Sequence, residues 1–196
     1  MDVTKAIHKR RSTRSFKDKK PDWRDILDCL DTTRYSPMAG GYFTLNFLII
    51  DEKEKIKEIA KWSEQDWIKE APYVVLFITD AGIATNVYKE RGELYSHQQA
   101  GGAIQTFMLS LIEKGLSSCW VGHFNEDKIK FLFKIPNSRK IEAIIPVGYE
   151  KEKPKTRKIQ AELYNRVNYH EWGNKRMHRI EKVEHYYPEG YKNSKI

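Results

Sequence analysis

Apolar residues along this chain change period repeatedly, and each change marks an element. Val3, Ala6 and Ile7 recur at helical spacing and predict a first helix over residues 1–9. Pro21 and Asp22 open a second helix, because proline suits the first helical position and aspartate favours the positive end of the helix dipole. Trp23, Ile26, Leu27 and Leu30 then step along one face. Ser36-Pro37-Met38-Ala39-Gly40-Gly41 stops that helix, since proline and paired glycines do not continue it. From Thr44 the pattern is strand-like, Leu45 to Ile50, and Asp51 closes it. A charged helix follows over 52–62, with Ile56, Ile59 and Ala60 as its inner face. After Ala71-Pro72, the apolar run Tyr73-Val74-Val75-Leu76-Phe77-Ile78 predicts a central strand.

Residues 80–96 are polar and mixed, and read as a loop with a short helix. Ala100, Ala103, Ile104, Phe107, Met108, Leu111 and Ile112 then form the clearest helical stripe in the chain. Gly101-Gly102 interrupts it at a cost in helix propensity, which implies a close approach to the backbone there. Lys114-Gly115 ends that helix. Strands over 117–124 and 141–147 flank a helix over 126–133, and the basic, aromatic remainder shows no clear period. Interleaved helices and strands of this kind predict an α+β or three-layer α/β domain with a sheet between helices.

Length and charge sharpen the picture. A chain of 196 residues and 23.2 kDa can bury one substantial core. No apolar run reaches the roughly 20 residues that span a bilayer. Residues 1–7 lack the apolar centre of a signal peptide, so a cytoplasmic protein without membrane attachment is expected. Cys29 and Cys119 form no CxxC or Cys/His ligand set and read as a buried, reduced pair. The net charge of +8 is uneven. Residues 1–24 hold nine Lys/Arg against three Asp, and residues 153–196 hold eleven against five Glu. The middle is acidic, with fifteen basic and nineteen acidic groups. Two basic ends on an acidic middle suggest that the ends meet around one anionic ligand.

The densest basic string is Lys9-Arg10-Arg11-Ser12-Thr13-Arg14-Ser15-Phe16. Guanidinium forks and hydroxyls in such a string can wrap a phosphate. A solvated turn or a nucleic-acid patch is the other reading of the same residues. No GxGxxG follows a strand, no GxxxxGK[ST] occurs, and no Gly-x-Ser-x-Gly elbow holds a nucleophile. Cys119 lies among apolar residues and reads as a packed thiol, while His170 and His178 lack any metal-binding pattern. A good core and a phosphate-type cradle without catalytic side chains point to a cofactor that carries the chemistry.

The chain resembles the nitroreductase family of FMN-dependent oxidoreductases. The resemblance is carried by Arg10–Phe16, Ser36-Pro37 before a strand, and Ala71-Pro72-Tyr73-Val74-Val75. It continues through Lys114–Gly122, Ile145-Pro146-Val147-Gly148-Tyr149 and Lys153-Pro154-Lys155-Thr156-Arg157, and covers about residues 1–172.

It implies an α+β, three-layer domain with a mostly antiparallel central sheet, and a homodimer with FMN at the interface. Residues 1–172 would form the FMN-binding domain, and 173–196 a C-terminal extension able to wrap the partner subunit. By position, Arg10, Arg11 and Ser12 would hold the FMN phosphate and ribityl chain, and Arg14 the pyrimidine end. Lys155 and Arg157 would return to the phosphate. Pro37, Met38 and Ala39 would approach the flavin of the other subunit. Trp120, Val121, Gly122 and His123 would lie along the ring, with the Gly122 N–H toward N5. NADH or NADPH would be the donor, and a nitroaromatic, quinone or enone the small-molecule acceptor, with no nucleic-acid partner and no catalytic side chain.

Two departures stand out. Gly41 and Phe43 replace amide residues common in the family loop, leaving backbone groups or Tyr42 to take their place, and His97-Gln98-Gln99 stands where an acid often begins the small-residue run. A basic nucleic-acid-binding domain and a flavin protein with little turnover are the alternatives.

Overall fold

A computed structural model describes residues 2–152, 161, 163 and 166–175. The chain divides into two compact units, Met1–Pro154 and Lys155–Ile196. In the second, Tyr169 and Asn174 close a tight turn by a backbone bond of 2.8 Å.

The first unit is a four-stranded antiparallel sheet in the order β1-β2-β4-β3. Its strands are β1 (Leu45–Ile50), β2 (Tyr73–Thr79), β3 (Ser117–Ser118) and β4 (Lys140–Gly148). The helices are α1 (Val3–Lys9), α2 (Trp23–Asp31), α3 (Lys53–Trp62), α4 (Gly82–Tyr88), α5 (Arg91–Glu113) and α6 (Glu126–Phe133).

The apolar run in β2 reflects two covered faces. Tyr73, Val75 and Phe77 point to one side and meet Ile104, Phe107, Met108 and Leu111 of α5, with Ile26 and Leu30 of α2. Val74, Leu76 and Ile78 point to the other side and meet Ile56 and Ile59 of α3 and Ile129 of α6. Alternation along one strand thus builds a three-layer core. Among the described residues no helix is long and apolar enough to cross a membrane. Cys29 and Cys119 are buried free thiols, as their spacing implied.

Local chemistry sets the boundaries. Asp22 is the N-cap of α2, its carboxylate accepting from the Arg24 N–H at 2.9 Å, so Pro21 stands before the helix and not in its first turn. Gly115, at φ +72°, ends α5. That helix begins at Arg91, well before the apolar stripe, because its first turns bury Gly92, Ser96 and Gln99 in place of apolar residues. The strand expected over 117–124 shrinks to two residues plus one bridge from Val121 to Ile144. Among the described residues nothing lies within 4 Å of a Cβ built on Gly101 or Gly102, so none of them makes the expected close approach.

Phe77 and Phe107 are fully buried, with ring centroids 5.3 Å apart. Phe77→Ala is expected to lower stability by about 3–5 kcal/mol, whereas the same change at Phe131, 86% exposed, should stay within about 0.5 kcal/mol. Urea unfolding of both variants measures the difference.

Candidate functional site

The basic string leaves α1 as extended chain and joins the edge of the sheet. The Arg10 N–H closes α1 by donating to the Ala6 carbonyl at 2.9 Å. Ser12 is the parallel neighbour of Ser118, and the Thr13 N–H donates to the Ser118 carbonyl at 3.0 Å. Farther on, the Lys17 N–H donates to Tyr149 O at 2.9 Å, and the Lys151 N–H to Ser15 O at 3.0 Å.

An extended backbone sends neighbouring side chains to opposite sides. Thr13 turns inward, and its hydroxyl donates to the Glu150 carboxylate at 3.0 Å. Ser12 and Arg14 turn outward, on the same side as half-buried Arg10. Arg14 lies 6.0 Å from the centre of the Trp67 ring. Phe16 is buried at the far end, where a Cβ on Gly148 would stand 3.0 Å from its ring and 2.7 Å from Pro72. A side chain at 148 would push this strand off the sheet.

The opposite wall is Ser118–His123. The Ser118 hydroxyl is buried without a hydrogen-bond partner among the described residues. Burial pushes the Cys119 thiol above its usual pKa, while Arg14, Ser12 and Arg10 pull it back. Those groups therefore surround the start of this segment. Val121 is fixed by two 3.0 Å backbone bonds to Ile144, which leaves Trp120 and Gly122 facing outward. The Gly122 N–H donates to no described residue. His123 is exposed, 3.9 Å from the Glu64 carboxylate.

Pro37, Met38 and Ala39 are held elsewhere. Among the described residues, no hydrogen bond or ion pair ties them to Arg10–Arg14 or to Trp120–His123. Their loop is anchored on α5. Ser36 Oγ donates to Thr106 Oγ1 at 3.2 Å. The buried Gln99 amide accepts from the Thr44 N–H (2.8 Å) and hydroxyl (2.6 Å), and donates to Tyr42 O (3.2 Å). Gly40, at φ +58°, tucks beneath Tyr88, whose hydroxyl is 2.4 Å from where a Cβ would stand. Gln99 escaped the sequence reading as an anchor. Its signal was a polar residue one turn before Ala103, in register with the buried stripe.

Nearby, Glu142 is the extra residue at a register shift between β2 and β4. It accepts from Thr79 Oγ1 at 2.6 Å and lies 2.7 Å from His97 Nδ1, tying α5 to the sheet. The expected Lys155 and Arg157 lie outside the described residues. Among the described residues no group of His, Cys, Asp and Glu could hold a metal ion.

Comparison with known proteins places this arrangement. A profile described as "Nitroreductase family" matches residues 7–70 and 57–149. An iodotyrosine deiodinase from Thermotoga neapolitana is 26% identical over 176 residues, covering 82% of this chain and 94% of that protein. A protein from Methanothermobacter thermautotrophicus, provisionally named NADH dehydrogenase/NAD(P)H nitroreductase, is 29% identical over 166 residues, covering 81% and 83%. The solved FMN-dependent nitroreductase of Clostridium difficile R20291 shares the fold, with a TM-score of 0.72, 24% identity, and coverage of 85% of this chain and 98% of that one.

Gln99→Leu leaves the buried Thr44 groups without a partner and is expected to cost about 1–3 kcal/mol, with Gln99→Glu, which keeps the acceptor, costing less. Thermal or urea unfolding reads both. Burial also raises the Cys29 thiol to about 12. Both thiols are thus protonated at pH 8, and iodoacetamide should label neither in the folded protein but both in urea, as mass spectrometry will show.

Proposed function

Since the chain belongs to the nitroreductase family, we propose that it is an FMN-dependent NAD(P)H oxidoreductase, working as a homodimer with FMN at the interface. The observation that carries this reading is the basic strand docked against Ser118. It sets Ser12 beside Ser118, whose buried hydroxyl has no hydrogen-bond partner among the described residues, and brings Arg14 and Arg10 close to the neighbouring Cys119. A buried polar atom without a partner is costly, and a ligand oxygen next to the cations would satisfy it. The donor set therefore fits FMN: cations and hydroxyls for a phosphate and a polyol, and an outward-facing backbone N–H at Gly122.

FMN, when bound, would supply the redox chemistry between NADH or NADPH as donor and a nitroaromatic, quinone or enone as acceptor, in a ping-pong cycle. The chain's own residues bind and orient. Arg10, Arg11 and Ser12 would hold the phosphate and ribityl chain. Arg14 puts a cation at the pyrimidine edge, where the ring gathers negative charge. Gly122 donates its N–H toward N5, flanked by Trp120, Val121 and His123. Pro37, Met38 and Ala39 come from the partner subunit, on the loop that Gln99 anchors.

Arg10→Ala combined with Ser12→Ala removes charge-assisted bonds to the phosphate and is expected to weaken FMN binding by about tenfold to a hundredfold, with the fold retained. Fluorescence titration with FMN measures it. Anaerobic mixing with NADH or NADPH should bleach the flavin absorbance in a single turnover, and an acceptor should restore it. A bound flavin that neither donor bleaches would make the protein a carrier. A colourless monomer that ignores FMN and binds nucleic acid with a steep salt dependence would replace this reading altogether.

A further inference from the structure

A cavity of about 860 Å³ opens between the N-terminal strand, the start of α3 and the turn before β2. Among the described residues, six lysines line it: Lys17, Lys20, Lys53, Lys57, Lys69 and Lys151. They face the carboxylates of Asp18, Asp51 and Glu70, with no arginine among the described lining residues. None of the described residues assigned above to FMN lines this space, and the inference does not rest on that reading.

Two of the three carboxylates are already engaged. Glu70 accepts from the Phe16 N–H at 3.3 Å and from Ser15 Oγ at 3.5 Å. Asp51 holds Lys20 at 2.7 Å. Lys57 and Lys69 make exposed pairs with Glu54 and Asp66, a kind that contributes little. Lys17, Lys53 and Lys151 have no ion-pair partner among the described residues. Stretches far apart in sequence thus bring like charges around one hollow floored by Phe16, Ile56, Ala71 and Pro72. A concave wall with a clear excess of positive charge focuses potential and attracts counter-charge.

We propose that this cavity is a second binding site, which takes a small molecule bearing an oligophosphate group. Lys17, Lys53 and Lys151 supply the unpaired charge, and Lys57 and Lys69 close around the same anion. Lysine ammonium groups are point charges on flexible stems. They suit oxygens strung along a phosphate chain, whereas a planar carboxylate is the better match for arginine's fork.

Inorganic pyrophosphate is the probe, added to the protein as isolated at constant ionic strength while backbone amide resonances are followed. Saturable shifts are expected at Lys17, Lys53, Lys57, Lys69 and Lys151. Lys53→Glu with Lys57→Glu should weaken pyrophosphate at least about tenfold, and both positions are exposed on α3, where surface changes cost little, with far-UV circular dichroism checking that the fold is retained. Lys55→Glu with Lys61→Glu makes the same charge change on the same helix outside the cavity, and should alter affinity by less than about twofold. Equal losses in both double variants would reduce the effect to general charge and overturn the proposal. So would shifts that never saturate, or shifts centred on Arg10–Arg14.

Discussion

The site depends on backbone pairing between residues 12–17 and two separate stretches, Ser118 and Tyr149–Lys151. Three hydrogen bonds fix the depth and direction of the N-terminal strand. Inward-facing Thr13 and Phe16 lock its register, one through Glu150 and the other through burial against Gly148. With the register fixed, Arg10, Ser12 and Arg14 have only one wall to face. A slip by one residue would send the cations inward and the threonine outward. Cation placement here is therefore a consequence of sheet pairing and not of local preference in a basic loop.

The layers on either side of the sheet keep that edge in place. Helix α5 packs one face of β2 and β4 and ends at Gly115, directly before Leu116 and β3. Helices α3 and α6 cover the other face. Lys114 bonds to Asp25 and Asp28 of α2 at 3.0 and 2.8 Å, joining the end of α5 to its neighbour just before the chain enters the site. The first half of α5 does a different job. Gln99 anchors the 38–44 loop, and His97 reaches the bulge residue Glu142. One helix thus positions both the wall built in this chain and the loop proposed to serve the partner.

Most of the fold was legible because its signals are apolar. The Tyr73–Ile78 run, the strand-like Leu45–Ile50 run and the Ala103–Leu111 stripe each appear as the element their pattern predicts. The family, and a sheet between helix layers, were legible too, through motifs whose order survives low identity. The first turns of α5 were not, since Gly92, Ser96 and Gln99 bury small or polar surfaces that carry no hydrophobic period. The shortening of β3 was also hidden. Val121 pairs with Ile144 while Trp120 and Gly122 turn away, and that choice is made by the partner strand. In the candidate site, the basic string was visible as charge, but its pairing with Ser118 and the anchor at Gln99 are tertiary facts.

The most direct test is amide hydrogen exchange with and without saturating FMN. The account predicts that residues 10–16 and 117–123 gain protection together, with the Gly122 amide among those slowed most, because both walls close on one ligand. Unchanged exchange in these two stretches, or protection confined to other parts of the chain, would contradict it.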